Sequence, residues 1–250
     1  MLKAVDQSGK VLIENEYSAG NRISTTVQYD KESNKYQKIA YKFRTDGSLQ
    51  EESYHQKAAT AADAKKAAVD TKKTYEYASI NLLKSITTKK GSQTVEKIEY
   101  TYDSEDNRTS KKVTNAEGER TELYYYDANG DLVSISEKTG IDDARNLINI
   151  HRDSSGQLLS FEYKQKSYDY VYNQRGDIVA ITDAQQNVIA KYTYDEWGNI
   201  LKSEGLTDIG KEVVKANPFR YVGKFGVQYD ETQSSTSWAG ANTTRKSAVS

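Results

Sequence analysis

One short pattern recurs along this chain: a tyrosine, any residue, a second tyrosine, and then an Asp or Asn. In the later copies a glycine follows three residues after the Asp or Asn, and an apolar residue two further on. Side chains two residues apart lie on one face of a β-strand, and Asp with Gly three positions later is typical of a tight turn between antiparallel strands. A repeated unit of this kind constrains the fold more than any local motif. The repeat positions are Tyr100, Tyr102, Asp103, Tyr124, Tyr126, Asp127, Gly130, Tyr170, Tyr172, Gly176, Tyr192, Tyr194, Asp195 and Gly198.

Weaker copies extend the pattern. Residues 41–49 keep the spacing with Arg in the Asp position, and residues 150–158 keep the turn but lose both tyrosines. Counted at the second aromatic position, the five copies from Tyr102 to Tyr194 are 24, 26, 20 and 22 residues apart, which is the length of two strands and two turns. The sequence therefore predicts an all-β fold, an antiparallel meander of hairpins.

Residues 55–74 interrupt the meander with a stretch rich in Ala and Lys that lacks alternation of β-branched residues. Its composition favours a short helical insertion. The stretch is polar on nearly all sides, which predicts a surface position. A partner-binding helix is the alternative, although its apolar stripe would consist only of alanine.

Composition excludes several classes of protein. The 250 residues include 20 Tyr but only 4 Phe and no Cys, with a net charge of −1 and a mean hydropathy of −0.84. We expect no disulfide, no membrane span and, because no basic block occurs, no nucleic-acid partner. The lysine pairs at 65–66, 72–73 and 89–90 are expected to be solvated faces. No signal peptide begins at Met1, so the localisation of this chain is left open.

Candidate chemistry is sparse. Residues 127–131 carry oxygen side chains at alternate positions, as a calcium loop does, but an EF-hand needs its glycine sixth and a Glu twelfth, where this chain has Lys138. His55 and His151 are the only histidines and have no partners at metal or triad spacing. We expect no catalytic residue, no cofactor and no metal.

Residues 192–200, followed by Asn-Pro-Phe-Arg-Tyr at 217–221, resemble the Rhs or YD-repeat family, which includes bacterial wall-associated proteins and the YD shell of teneurins. Residues 217–224 look like the entry to the Rhs-associated core, and residues 229–232 look like its continuation. In that family the strands spiral into a hollow β-shell around a C-terminal toxin. The resemblance implies that this chain forms a curved or spiralling sheet, a partial β-shell. It also implies that the partner is further shell and that the parent protein is secreted or associated with the cell wall.

The resemblance and the pattern together predict five segments. These are degenerate YD-like strands at 1–54, the helical insertion at 55–74, a YD-repeat sheet at 75–205, the start of the Rhs-associated core at 206–232, and a tail at 233–250. The tail departs from the family and is interpreted as a shifted reading frame, or alternatively as a polar disordered tail. On the first reading, the family's self-cleavage region and toxin are absent.

Three functions follow as hypotheses. The first is a non-catalytic structural fragment of a toxin-encapsulating shell. The second is a module that binds cell-surface carbohydrate through exposed aromatic residues, principally Trp197 and Tyr125, with Tyr168 and Tyr192 as further candidates. The third, an enzyme, would require clustered polar side chains in a closed pocket.

Overall fold

The computed structural model describes residues 2–79, 82–196 and 198–229. Within them the chain forms seventeen β-strands, two α-helices and one 3₁₀ turn, so the predicted all-β antiparallel meander is confirmed. The strands are β1 (Leu2–Val5), β2 (Val11–Ser18), β3 (Arg22–Asp30), β4 (Lys35–Phe43), β5 (Leu49–His55), β6 (Val69–Ser79), β7 (Leu82–Lys90), β8 (Gln93–Tyr102), β9 (Arg108–Asn115), β10 (Gly118–Tyr126), β11 (Leu132–Thr139), β12 (Arg145–Arg152), β13 (Leu158–Tyr163), β14 (Lys166–Tyr172), β15 (Ile178–Asp183), β16 (Val188–Tyr194) and β17 (Ile200–Gly205). The helices are α1 (Ala61–Lys66) and α2 (Asp208–Ala216), and the 3₁₀ turn is Gly223–Phe225.

The chain divides into two compact units. The first contains residues up to 100 together with 112–119, and the second contains residues 101–111 together with those from 120 onward. In the first unit each strand from β1 to β8 pairs antiparallel with the next. In the second unit each strand from β10 to β17 does the same. Each unit is therefore a meander in chain order.

A β-bulge follows the repeat turn and sets which side chains are buried. Tyr125 pairs with Ser134 but Tyr126 pairs with Leu132, so Val133 is an extra residue on the return strand. A bulge reverses the alternation of side chains at that point. Leu132 and the residue three positions later, Ile135, are consequently both buried. The same register shift occurs in the hairpins whose return strands begin at Leu49, Leu158, Ile178 and Ile200.

The core of the second unit lies on one face of its sheet, which we call the tyrosine face. Tyrosines and branched aliphatic residues alternate across neighbouring strands of this face, and Val213, Val214 and Phe219 from the C-terminal part of the chain pack on it. Burying large rings of this kind supplies most of the apolar area that stabilises a thin sheet. The sheet residues of this face include Tyr124, Ile135, Ile148, Phe161, Tyr168, Tyr170, Ile181 and Tyr192.

The insertion in the first unit contains a helix that is shorter than the stretch 55–74. Thr60 caps its N-terminus by accepting a hydrogen bond from the Asp63 amide, and the helix ends at Lys66. The strand that follows begins at Val69 because residues 69–74 pair with β5. Ala64 is fully buried against Val27 and Tyr36, so α1 lies on the sheet.

A second helix, α2, was not predicted from the sequence. Thr207 caps it by accepting a hydrogen bond from the Gly210 amide, and Asp208 lies in its first turn, where a negative charge is favourable. Val213 and Val214 are buried in the core of the second unit. Across residues 2–79, 82–196 and 198–229, no helix has the length and apolar character needed to cross a bilayer.

Candidate functional site: the tyrosine face and its strap

The repeat turns share one hydrogen-bond pattern. The Asp127 carboxylate accepts hydrogen bonds from the backbone amides of Asn129 and Asp131, each at 2.9 Å, while Gly130 adopts a φ of 78°. The amide oxygen of Asn173 accepts the equivalent two bonds in the next tyrosine-containing copy, each at 3.0 Å. This pattern closes a type I turn with a left-handed residue. The Asp or Asn of the repeat therefore stabilises the turn through its side-chain oxygen.

These bonds make the turns sensitive to acid. The backbone amide of Asp131 is the main group that holds the pKa of Asp127 below its ordinary value of 3.8. A carboxyl whose pKa is lower in the folded state stabilises the fold above its unfolded pKa, and that contribution is lost as the pH falls through the folded value. We predict that Asp127→Asn keeps the turn, as Asn173 does naturally, and weakens the dependence of the urea midpoint on pH between about 5 and 2. An unchanged pH dependence would show that this carboxylate contributes nothing to acid stability.

The second tyrosine of the repeat closes a gap between strands. The ladder between β13 and β14 extends only from Ser160 to Tyr163, so the carbonyl of Leu158 lies beyond it. The Tyr172 hydroxyl donates to that carbonyl at 2.7 Å, and Tyr194 donates to the Ile178 carbonyl at the same distance. A buried carbonyl without a partner is costly, so the hydroxyl stabilises these two copies, whereas the weaker copy at 41–49 has Phe43 at this position.

Two further positions support this explanation. In the first unit, Tyr77 ends a Tyr-Glu-Tyr sequence at 75–77, and its hydroxyl donates to the Leu49 carbonyl at 2.8 Å. In the copy that lacks tyrosines, Arg152 occupies the same position and its guanidinium lies 3.4 Å from the Leu132 carbonyl as a donor. The hydrogen-bond donor is therefore kept where the aromatic ring is lost.

Two tyrosines of β14 provide a matched test. The Tyr168 hydroxyl is buried without a hydrogen-bond partner in the described residues, whereas the Tyr172 hydroxyl binds the Leu158 carbonyl. We predict that Tyr168→Phe leaves the free energy of unfolding unchanged or slightly higher, because no bond is lost. Tyr172→Phe should lower it by about 1–2 kcal/mol, because the Leu158 carbonyl loses its donor. Urea unfolding of both variants measures the difference, and equal effects would contradict the assigned role of the hydroxyl.

The first tyrosine of the repeat meets the C-terminal part of the chain. Residues 217–228, which we call the strap, follow α2. The Asn217 side chain is buried, accepts a hydrogen bond from the Tyr170 hydroxyl at 3.0 Å, and donates to the Tyr192 hydroxyl at 3.4 Å. The same amide accepts from the Phe219 backbone at 3.1 Å and donates to the Phe219 carbonyl at 2.8 Å. All the hydrogen-bonding capacity of this side chain is thus used to hold the strap on the tyrosine face.

Arg220 holds the end of α2 to the strap. Its guanidinium donates to the carbonyl oxygens of Asn217, Phe219 and, at the end of α2, Val214. The guanidinium also lies over the Tyr192 ring, 4.7 Å from its centre. Carbonyls at the C-terminus of a helix carry partial negative charge and favour a cation. Arg220 therefore fixes the direction in which the chain leaves the helix.

The strap then joins the turn between β14 and β15. The Asp177 carboxylate is fully buried and accepts hydrogen bonds from the Arg175 side chain at 2.7 Å and from the Val222 amide at 2.9 Å. The Ile178 amide donates to the Arg220 carbonyl at 3.0 Å. Val222 has a φ of 42°, which is strained for a β-branched residue. The bond to Asp177 holds it in that conformation.

Rings of the strap lie against glycines of the repeat turns. A Cβ on Gly176 would lie 2.7 Å from the Phe225 ring, and a Cβ on Gly198 would overlap the Tyr221 ring. Gly156 has a similar positive φ of 81°, yet nothing lies within 4 Å of its Cβ position. Glycine is therefore required at 176 and 198 for two reasons. The turn needs a positive φ at each position, and a Cβ there would collide with a ring of the strap.

The structure places the sequence-predicted sites on different surfaces. Tyr100, Tyr124, Tyr170 and Tyr192 are buried, while Tyr125 is 46% exposed. The interpretation of Tyr168 and Tyr192 as exposed sugar contacts is wrong, because each is 2% exposed beneath the residues packed on the tyrosine face. Trp197 and the proposed tail at 233–250 lie outside the described residues.

Sequence reasoning missed the residues that join the strap to the sheet, namely Asn217, Arg220 and Asp177. Residues 217–221 resemble a family motif, but nothing local in them identifies Tyr170 as a partner. In the described part of the chain, no three acidic, His or Cys side chains come close enough together to hold a metal ion. The arrangement can fasten one segment of chain to a row of hairpins.

Comparison with known proteins gives the following relatives. No protein-family profile matches this chain. It is similar to the tRNA3(Ser)-specific nuclease WapA of Bacillus spizizenii, with 40% identity over 132 residues that make up 53% of this chain and 5% of that protein. The tRNA nuclease WapA of Bacillus subtilis strain 168 is 38% identical over 136 residues, with the same two shares. The chain therefore spans about one-twentieth of the length of the curated relatives it matches, 5% in each case.

A solved structure, the Photorhabdus luminescens Tc holotoxin pore, matches 92% of this chain and 18% of its own chain at 12% identity, with a TM-score of 0.42.

Proposed function

We propose that this chain, which is related to the Rhs and YD-repeat wall-associated proteins, is a non-catalytic segment of the wall of a toxin-encapsulating shell. The relatives are named as nucleases, but the match covers 5% of their length. Their activity is therefore assigned here to sequence outside the match. On this proposal the chain supplies structure, and no residue of it performs chemistry.

The strap on the tyrosine face carries the proposal. Buried polar groups at a catalytic site usually converge on a space where a substrate atom can sit. In the second unit the polar groups of Asn217 and Asp177 instead bind other parts of the same chain. Such use of polar groups supports a role in holding hairpins together. It favours a wall over an active site.

The partner of this wall is further YD-repeat sheet, from the same protein or from another copy. A meander segment ends in strands whose outer backbone groups can pair with another strand, and such edges favour addition of more sheet. The parent protein would then be secreted or wall-associated. On this proposal, residues 75–205 form the YD-repeat sheet and residues 206–232 form the entry to the Rhs-associated core.

Two measurements test the proposal. The purified chain, incubated with total tRNA, should leave the tRNA intact, and it should co-sediment with a purified YD-repeat segment from one of the Bacillus relatives. Cleavage of tRNA that persists through further purification would contradict the non-catalytic assignment. Separate sedimentation of the two proteins would contradict the assignment of further YD-repeat sheet as the partner.

A second candidate function rests on Tyr125, a residue that is 46% exposed. An exposed ring can stack on a sugar. Binding to purified wall glycans that is lost in Tyr125→Ala or Trp197→Ala would support a carbohydrate-binding module. Tyr17→Ala is the matched control, because this tyrosine of the first unit is exposed to a similar degree, 38%.

A further inference from the structure

Two lysines of the first unit lie opposite each other on neighbouring strands. Lys72 of β6 pairs directly with Lys89 of β7. The side chains of directly opposed residues begin about 5 Å apart, and like charges in such a pair repel each other. The Lys72 ammonium lies 3.4 Å from the Glu51 carboxylate, which it shares with Lys42. In the described residues no carboxylate forms an ion pair with Lys89, so the positive charge of the pair is only partly compensated.

A surface cavity of about 510 Å³ lies at this pair. It is lined by Val69, Asp70, Lys72, Lys89, Gly91 and Ser92, the last two from the turn between β7 and β8. Asp70 is the one acidic residue of this lining. Its carboxylate accepts a hydrogen bond from the Thr71 hydroxyl at 2.9 Å and lies 3.9 Å from the Lys90 ammonium. Because Lys90 balances the charge of Asp70, the two opposed lysines leave the cavity positively charged.

The size and charge of this cavity match a small anion that carries more than one negative charge. Cavities that bind small molecules have volumes of about 300–1,000 Å³. A phosphate dianion compensates two ammonium groups at once, and each lysine can donate to a different phosphate oxygen. Ser92 adds a hydroxyl donor, and Val69, which is 46% exposed, adds apolar surface for the organic part of a phosphate ester.

We propose that Lys72, Lys89 and Ser92 form a binding site for a dianionic phosphate group. The group belongs either to inorganic phosphate or to a small organic phosphomonoester, and the lysines contact the same oxygens in both. Bound phosphate places negative charge between two side chains that otherwise repel each other. The inference concerns a ligand site of the first unit, and it stands whether or not the chain is part of a shell.

The test is a titration of the full ¹⁵N-labelled chain by NMR at about pH 8, where phosphate is mainly dianionic. Inorganic phosphate and glycerol 1-phosphate are added in separate experiments, with sodium chloride adjusted to constant ionic strength. We expect the amide signals of Gly91 and Ser92 to shift saturably, with a dissociation constant on the order of 1 mM. Tighter binding of inorganic phosphate identifies the free ion as the ligand, and tighter binding of glycerol 1-phosphate identifies a monoester. The absence of a saturable shift with both compounds would overturn the proposal.

Lys89→Gln tests the assignment of the site. This variant removes the unpaired charge and leaves the contact between Lys72 and Glu51 in place, so we expect phosphate binding to weaken at least about fivefold. Lys89 is exposed, and a change of this kind is expected to preserve the fold. Lys84→Gln is the matched control, because it removes the same charge from an exposed position of the same strand, outside the cavity.

Two results with these variants would overturn the proposal. Unchanged phosphate binding in Lys89→Gln would show that this side chain does not contact the ligand. Equal weakening in Lys84→Gln and Lys89→Gln would show that phosphate responds to the overall charge of the chain and not to the cavity.

Discussion

Gly210→Ala is expected to destabilise the second unit by about 2 kcal/mol or more, although alanine is the better helix former. A Cβ at this position of α2 would overlap the backbone carbonyl oxygen of Ile189 and lie 3.1 Å from the Thr207 hydroxyl. The Ile189 carbonyl cannot move freely, because it accepts a hydrogen bond from the Leu206 amide at 2.8 Å. The helix must therefore shift away from β16, and its buried valines lose their packing.

The measurement is the free energy of unfolding in urea, with fluorescence and circular dichroism as two independent probes. Lys215→Ala is the control, because it changes an exposed position of the same helix. Surface changes of this kind usually alter stability by less than about 0.5 kcal/mol. Gly210→Ala with the stability of the wild-type chain would show that α2 does not approach the sheet as closely as described.

Asn217→Ala is expected to lower the free energy of unfolding by about 3 kcal/mol or more, since it removes one buried side chain that bonds to four groups at once. The Tyr170 hydroxyl and the Phe219 amide would each lose their acceptor within the core. Burial already raises the pKa of Tyr170 well above its ordinary value, so ionisation of the phenol cannot compensate at neutral pH. Replacing this asparagine should therefore release the strap.

Asn199→Ala is the matched control, because that side chain is exposed and hydrogen-bonds within its own turn, to Asp195 at 2.7 Å. We expect Asn199→Ala to leave the free energy of unfolding nearly unchanged. The double variant of Asn217→Ala with Tyr170→Phe should be less destabilised than the sum of the two single changes, because both break the same bond. Additive effects would contradict the contact between Tyr170 and Asn217.

The local parts of this structure were predictable because their causes are local. Tyrosines two residues apart predict one face of a strand, and Asp127 with Gly130 predicts a turn. The bulge at Val133 was not predicted. The spacing of three residues between the apolar Leu132 and Ile135 is the sequence signal that indicates it. A strict alternation would have placed one of these two residues on the wrong face.

The strap could not be predicted because its contacts are distant along the chain. Tyr170 and Asn217 are 47 residues apart, and neither carries a local signal for the other. Helix α2 was missed although Thr207 and Asp208 mark its start. The motif at 217–221 identified where the strap begins without indicating what it binds.

The burial of Glu52 could not be predicted from the repeat either. This residue lies three residues after Leu49, at the position that Ile135, Phe161 and Ile181 occupy in other hairpins. Like those apolar residues it is buried, with 1% of the residue exposed. The hydroxyls of Tyr54 and Tyr75 donate to it at 2.9 and 2.7 Å. A repeat specifies which positions face the core, but a network of tyrosine hydroxyls allows a charged residue at such a position.

The central claim is that the strap fastens the hairpins of the second unit into one rigid wall. Native-state hydrogen exchange of the wild-type chain and of Asn217→Ala tests it most directly, because exchange reports the stability of each strand separately. The account predicts that amides of β13 to β16 lose protection together when the strap is released. Loss of protection confined to residues 207–228, with the strands unchanged, would contradict it.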